Sequence, residues 1–300
     1  MSVTATSATS ALSATDAVSS PTMENPASGK RFRVRLPKDG KLTVGLGIIG
    51  VFVLVALISL VWTPYDPIAQ NIYAALQAPS WAHPFGTDEL GRDVLSRVMA
   101  ASSIDLPVTL ICTVLPCILG TILGLLAGYY GGWLDTLLFR LGDLLQAFPQ
   151  YVLMIVLVFI LGSGVPSIVV SFTIVGWVVY ARLTRTEVLR IKETQFVMAA
   201  ETSGFSSLRV MGRHILPNVI RQVAIYLTSD LVFSVVALAA FSFLGFGVQQ
   251  PTPEWGVMIS SGQRYLNLAP WLVMVPGICL SVFAVGLALL GDAFQDKGEH

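Results

Sequence analysis

Six stretches of this chain stay apolar long enough to cross a hydrocarbon layer: residues 42–62, 106–130, 137–161, 166–183, 219–246 and 270–290. A layer roughly 30 Å thick takes about 20 residues of α-helix. Without water to satisfy its backbone groups, a chain can cross only as helices or as a closed barrel. These stretches are too long, and alternate too little, for barrel strands of about 10 residues. The expected fold is therefore an all-α membrane protein with six transmembrane helices. Composition agrees: 54% of residues are apolar and 12% charged, about half the charge of an ordinary soluble domain.

Net charge is zero, but its distribution orients the spans. With an inside start, fifteen of the 18 Lys and Arg residues fall on the cytoplasmic side, leaving Arg92, Arg97 and Arg264 outside. That asymmetry is the positive-inside pattern, and it puts both termini in the cytoplasm. The organisation that follows is a disordered, basic cytoplasmic tail over 1–41, a first helix over 42–62 and an extracytoplasmic connection over 63–105. A five-helix core over 106–291 follows, with a cytoplasmic connection at 184–218, and a short tail closes the chain at 292–300. The opening "MSVTATSATSALSATDAVSSPTMENPASG" has no apolar core behind early positive charges, so the first span reads as an uncleaved anchor rather than a secretory signal. Cys112, Cys117 and Cys279 lie in predicted spans without CxxC spacing; packing explains them better than metal or redox chemistry.

Several polar features need a reading. In "HPFGTDELGRDVLSRVMA", Thr87 or Asp88 suits a helix N-cap, and Asp93 and Arg97 stand at i,i+4. His83, Asp88, Glu89 and Asp93 could be weighed as a metal or hydrolase site, but one histidine among acids that also serve as caps and ion pairs favours structure. Gly120, Gly124 and Gly128, spaced by four, align on one helix face for close packing against a neighbour in this chain or another. Arg140 and Asp143 could pair at the cytoplasmic end of the third span. Asp230 falls near the middle of the fifth, where a carboxylate faces a bundle interior or a watery cavity. Asp230 and Asp143 are thus candidates for lining a translocation pathway, the alternative being structural satisfaction by neighbours. In "QQPTPEWG", Pro253 fits a first helical turn and Glu254 its positive dipole end; Trp255 and Trp271 suit the membrane boundary.

The segment "FVMAAETSGFSSLRVMGRHILPN", residues 196–218, interrupts two apolar stretches with small residues and a glycine. Its pattern predicts a short helix over 196–203, Gly204 as a left-handed C′ residue, a second short helix from Ser206 or Ser207 to Leu216, and Pro217 opening the next span. Ala199 and Ala200 leave a smooth surface, and Arg209, Arg213 and His214 offer donors around it. A connector needs only a few residues, so a segment this long reads as a surface gripped by another protein.

The segment resembles the EAA loop of bacterial importer-type ABC-transporter permeases, whose pattern is Glu-Ala-Ala, three residues, Gly, nine residues, Ile-x-Leu-Pro. Ala199, Ala200, Gly204, Leu216 and Pro217 match it, while Met198 replaces the glutamate and His214 the isoleucine. "RHILPN", "HPFGTDELGRDVLSR", "GWVVYARLTRTEVL", "PTPEWGVMI", "APWLVMVPG" and "LLGDAFQD" resemble the second, C-type permease subunit of the dipeptide/oligopeptide branch. That resemblance implies a type I importer permease (MetI-like) fold in the bacterial inner membrane. It implies a B-type permease partner, two cytoplasmic ATP-binding subunits or one fused ATPase holding ATP and Mg, and an extracytoplasmic peptide-binding protein. The cargo it implies is a dipeptide or oligopeptide, with nickel, haem, glutathione or another small solute as alternatives. No cofactor, catalytic residue, metal ligand or nucleic-acid partner is expected in this chain. None of the five lysines is followed by Ser or Thr, so a Gly-Lys-Ser/Thr phosphate loop is missing and the energy source must be another polypeptide. A self-sufficient channel or ion-coupled transporter would need coupling groups within the spans, where Asp230 alone is deep. A membrane enzyme would need a convergent catalytic cluster.

Overall fold

A computed structural model describes residues 38–298. The tail expected over 1–41 lies outside the described residues through residue 37; its last residues already belong to the first helix, α1 (Lys38–Ser59). There follow α2 (Val94–Tyr130), α3 (Gly132–Gln146), α4 (Gln150–Leu161), α5 (Val165–Lys192) and α6 (Gln195–Thr202). α7 (Ser207–Val210), α8 (Leu216–Phe243), α9 (Trp255–Gly262) and α10 (Trp271–Gly298) complete the order. Five helices are long and apolar enough to span a membrane, and the pair α3–α4 would make a sixth if counted together. Among the described residues there is no strand, only an antiparallel bridge between Thr87 and Asp93.

The bundle centres on α2, whose most extensive partner is α5. The three glycines explain this closeness and settle which neighbour they face. A Cβ at Gly120 would stand 2.3 Å from the Trp177 carbonyl oxygen, one at Gly124 2.3 Å from that of Ala181, and one at Gly128 2.9 Å from Val188. The partner is α5 of this chain. α1 lies against α10 and α2, α8 packs on α2 and α10, and α9 sits across α8 and α10.

The third predicted span, 137–161, is not a single rod. α3 and α4 meet at 89°. Pro149 stands at the α4 N-cap; it has no N–H to continue α3 and disfavours helix in the residue before it. At 12 residues, α4 reaches roughly 18 Å, short of a crossing. Asp143 pairs with Arg182 of α5 rather than with Arg140, and Asp135 takes a hydrogen bond from Arg185 Nη2 at 2.6 Å. α3 is thus tied to α5 by its acidic face.

The expected connection over 63–105 is shorter than its bounds, because α2 already begins at Val94. Its N-cap is Asp93, which accepts from Ser96 N at 2.8 Å, rather than Thr87 or Asp88. Asp93 also holds His83 Nδ1 at 2.9 Å. Arg97 does not pair with Asp93; its Nε lies 3.5 Å from Asp88 and its Nη1 donates to Pro67 O at 2.8 Å. Buried Arg92 donates to Asp88 at 2.6 Å and lies 3.4 Å from Glu89. The acids of this motif are therefore occupied in folding the connection onto α2.

Two further expectations change. Glu254, not Pro253, initiates α9, accepting from Val257 N at 2.8 Å. Trp255 is not a boundary residue: it is fully buried against Phe52 and Phe283. The closing segment 292–300 remains helical in α10 to Gly298.

Candidate functional site

The connection between α5 and α8 is an elbow, much shorter than the expected 184–218, because α5 continues to Lys192. Thr194, extended at φ −79° and ψ 148°, opens α6. α6 closes with two reverse hydrogen bonds: Gly204 N–H donates to Glu201 O at 3.0 Å and Phe205 N–H to Ala200 O at 3.2 Å. With Gly204 at φ +79°, this is a Schellman ending, which satisfies helix-terminal carbonyls through a left-handed residue. Gly204 is the C′ residue the sequence predicts.

The second half differs from expectation. α7 does not end before Pro217; a π-helical turn over Met211–Ile215 carries it into α8. Together they make one continuous helix, Ser207–Phe243, of 37 residues. Pro217 cannot donate to the preceding turn, and the wider turn absorbs the lost bond, as π-bulges do within α-helices. Asn218 Nδ2 donates to His214 O at 2.7 Å, which serves one of the carbonyls near the break.

Burial divides the elbow into two faces. Val197, Ala200, Val210, Met211 and Ile215 point inward and pack on Ile191, Val188 and Tyr129. Ala200, expected on the smooth outer surface, is therefore an anchor, and Leu216 is half-buried. Phe196, Met198, Phe205 and Leu208 point outward, Leu208 with 78% of its surface exposed. Ala199, Gly204, Arg209, Arg213 and Pro217 share that exposure. Arg209 lies over the Phe205 ring at 5.4 Å, and His214 stacks on the same ring at 6.2 Å. The outward apolar residues were legible as apolar, but only the alternation of burial along α6 separates them from the anchors.

The elbow is also tied to α2. Tyr129 Oη donates to Glu201 Oε1 at 3.0 Å, and Lys192 Nζ donates to Tyr129 O at 2.7 Å. Sequence reasoning missed both links, which join residues 72 and 63 positions apart.

Asp230 stands in a separate place. Tyr180 Oη donates to its Oδ2 at 2.8 Å. A small cavity beside it is lined from α4 by Gln150, Tyr151 and Met154, from α2 by Cys112, and from α8 by Phe233 and Ser234. Asp143 lines a different recess, with Asp135, Arg182 and Arg185. The two pathway candidates are not brought together.

Membrane-length helices, with an exposed apolar elbow at one end, define a polytopic membrane protein. Residues 120–297 match the family described as "Binding-protein-dependent transport system inner membrane component". The chain is 36% identical over 262 residues to the dipeptide transport system permease protein DppC of Alkalihalophilus pseudofirmus, covering 87% of this chain and 86% of that protein. It is 36% identical over 253 residues to the nickel transport system permease protein NikC of Escherichia coli K12, covering 84% and 91%. It is 36% identical over 256 residues to the glutathione transport system permease protein GsiD of Shigella sonnei, covering 85% and 84%. The chain belongs to this family, as a C-type permease subunit of an ABC importer in the dipeptide/oligopeptide branch. Membership makes it a multi-pass inner-membrane protein with ATPase and binding-protein partners.

Proposed function

We propose that this chain forms one half of a heterodimeric translocation pathway with a B-type permease, and that its elbow seats on a cytoplasmic ATPase. ATP and Mg are held and used by that partner, as two subunits or one fused chain. Both termini and α6 are cytoplasmic in this reading, which the distribution of Lys and Arg supports. The observation that carries it is the two-faced elbow, with Val197 and Ala200 locked inward while Phe196, Met198, Phe205 and Leu208 stay outside. Isolated exposed apolar residues need no explanation, but a cluster on a polar face marks an interaction surface. Arg209, Arg213 and His214 supply donors around it.

Closure of the ATPase on ATP pushes α6. Because α7 runs unbroken into α8, the push reaches the helix that carries Asp230. Asp230 and its cavity then line the pathway, whereas Asp143, tied to Arg182, holds α3 in place. The cargo is a dipeptide or short oligopeptide. Relatives at the same 36% identity are named for nickel and glutathione, so cargo choice belongs mainly to the binding protein.

Cysteines at Ala199 and Leu208, both exposed, test the docking. In intact cells they should crosslink to a nucleotide-hydrolysing protein. Efficient labelling by a soluble thiol reagent with no such crosslink would refute it. For the cargo, the ligand retained by the co-purified binding protein should be a peptide; bound metal instead would overturn that assignment.

A further inference from the structure

At the other end of α2 from the elbow, two carboxyl groups meet with no cation between them. Asp105 of α2 and Glu254 at the start of α9 are each 1% exposed. They are neighbours, and each acts on the other's charge. Part of the acceptor capacity is used: Asp105 Oδ2 accepts from Trp255 N at 3.1 Å and Glu254 Oε2 from Val257 N at 2.8 Å. Asp105 Oδ1 is buried and has no donor. A carboxylate oxygen only accepts, so two ionised groups here would leave that oxygen unsatisfied and place like charges together out of water. Both costs disappear if one carboxyl keeps its proton and donates to the other.

The surroundings supply no substitute. α8 contributes the Ser242 hydroxyl beside Glu254. α1 and α10 contribute Phe52 and Phe283 against Trp255, and the same cluster holds Tyr265 and Cys279 as its ionisable side chains. Arg92 and Arg97 stand further along α9, lining a recess with Met258, Ser261 and Gly262, and are engaged by Asp88 and Glu89. Asp230, the acid of α8, lies twelve residues before Ser242, roughly 18 Å along the helix. Asp292 and Asp296 of α10 lie at Lys41.

We propose that Asp105 and Glu254 form a proton-sharing pair that pins α9 to α2, so that the docking of α9 depends on pH. Trp255 is part of the same clamp: its N–H binds Asp105 and its indole Nε1 lies 3.4 Å from Val98 O. Burial pushes Glu254 from its ordinary value of 4.5 up to about 7, against hydrogen bonds that hold it down. The sign follows. The docked state binds the proton more tightly than an undocked, hydrated Glu254, so docking is strongest below about pH 4.5 and weakens as pH rises towards 7. The loss is up to about tenfold in the docking equilibrium per pH unit, and it levels off above that range. This inference stands independently of what the elbow binds.

The test is hydrogen exchange of residues 254–262 in the full permease complex in lipid nanodiscs, from about pH 5 to about pH 8, corrected for intrinsic exchange. Wild-type protection should fall with pH. Glu254→Gln removes the titrating group while keeping the capping oxygen, so it should make protection independent of pH, whereas Asp105→Asn leaves Glu254 buried and should keep a slope. A flat wild-type profile, or a Glu254→Gln variant that keeps the wild-type slope, overturns the proposal. Where neither variant assembles, infrared difference spectra of the wild type decide. A protonated-carboxyl band that titrates near pH 7 supports the site, and absence of such a band at about pH 6 removes it.

Discussion

Gly204 makes the strictest single-residue demand in the elbow. Its φ of +79° lies in the left-handed region, yet a Cβ there would meet nothing within 4 Å. The constraint is conformational rather than one of space. Gly204→Ala should therefore weaken the α6 ending by about 1–2 kcal/mol, and Gly204→Asn by less. Gly204→Pro cannot adopt this φ and also loses the donor to Glu201 O, so it should abolish uptake while membrane insertion, read by expression in the membrane fraction, is retained. At Tyr129, replacement by Phe deletes the hydroxyl that binds Glu201 and should cost about 1 kcal/mol of local stability. The readout is faster hydrogen exchange in α6, with more ATP hydrolysed per solute moved; unchanged exchange would show that this bond does not hold the elbow. Asp230→Asn keeps the acceptor for Tyr180 and removes the charge. It should change uptake more than the yield of assembled complex, and equal loss of both would make Asp230 a packing residue.

Among elements, the α2–α5 pair shows most plainly how sequence spacing becomes structure. Gly124→Ala would force a methyl to within 2.3 Å of the Ala181 carbonyl oxygen, an overpacking that costs about 1–3 kcal/mol or more. Gly47→Ala, where a Cβ meets nothing within 4 Å, should be neutral or slightly stabilising. Thermal unfolding of the purified complex in detergent would separate the two. The glycine face was legible because a period of four maps directly onto one side of a helix; its partner was not, because Ala181, which faces Gly124, lies 57 positions away and leaves no local mark. Apolar length likewise found five spans but not all of their ends: the predicted 166–183, 219–246 and 270–290 fall eight or more residues short of the end of α5, the start of the helix Ser207–Phe243 and the end of α10. It failed at 137–161, where hydropathy averages across Pro149 and so hides an 89° bend. It also placed the start of α2 too late, since Val94–Asp105 mixes polar and apolar residues yet is helical, capped by Asp93. In the elbow, Gly204 announced its own conformation. The burial of Ala200 did not, because neighbouring alanines look alike until the turn of α6 assigns one to each face.

For the whole molecule, the unbroken helix Ser207–Phe243 changes how motion can pass through the fold. Two short helices joined flexibly to a span would absorb a push at α6. A helix of 37 residues, roughly 55 Å long, with its first turns packed on Val188 and Ile191 of α5, passes the push on. The elbow, α7 and the inner half of α8 should then move as one body while the two permeases change orientation. The decisive measurement is the distance between spin labels at Ala199 and Ile220, two exposed positions on either side of Pro217. It should be made in the full transporter, with and without trapped nucleotide, alongside a second distance from Ile220 to the partner permease. The account predicts that the first distance stays fixed within label width while the second shifts. A change in the first with nucleotide, at a constant second, would mean that the elbow bends at the π-helical turn and that α8 does not carry the stroke.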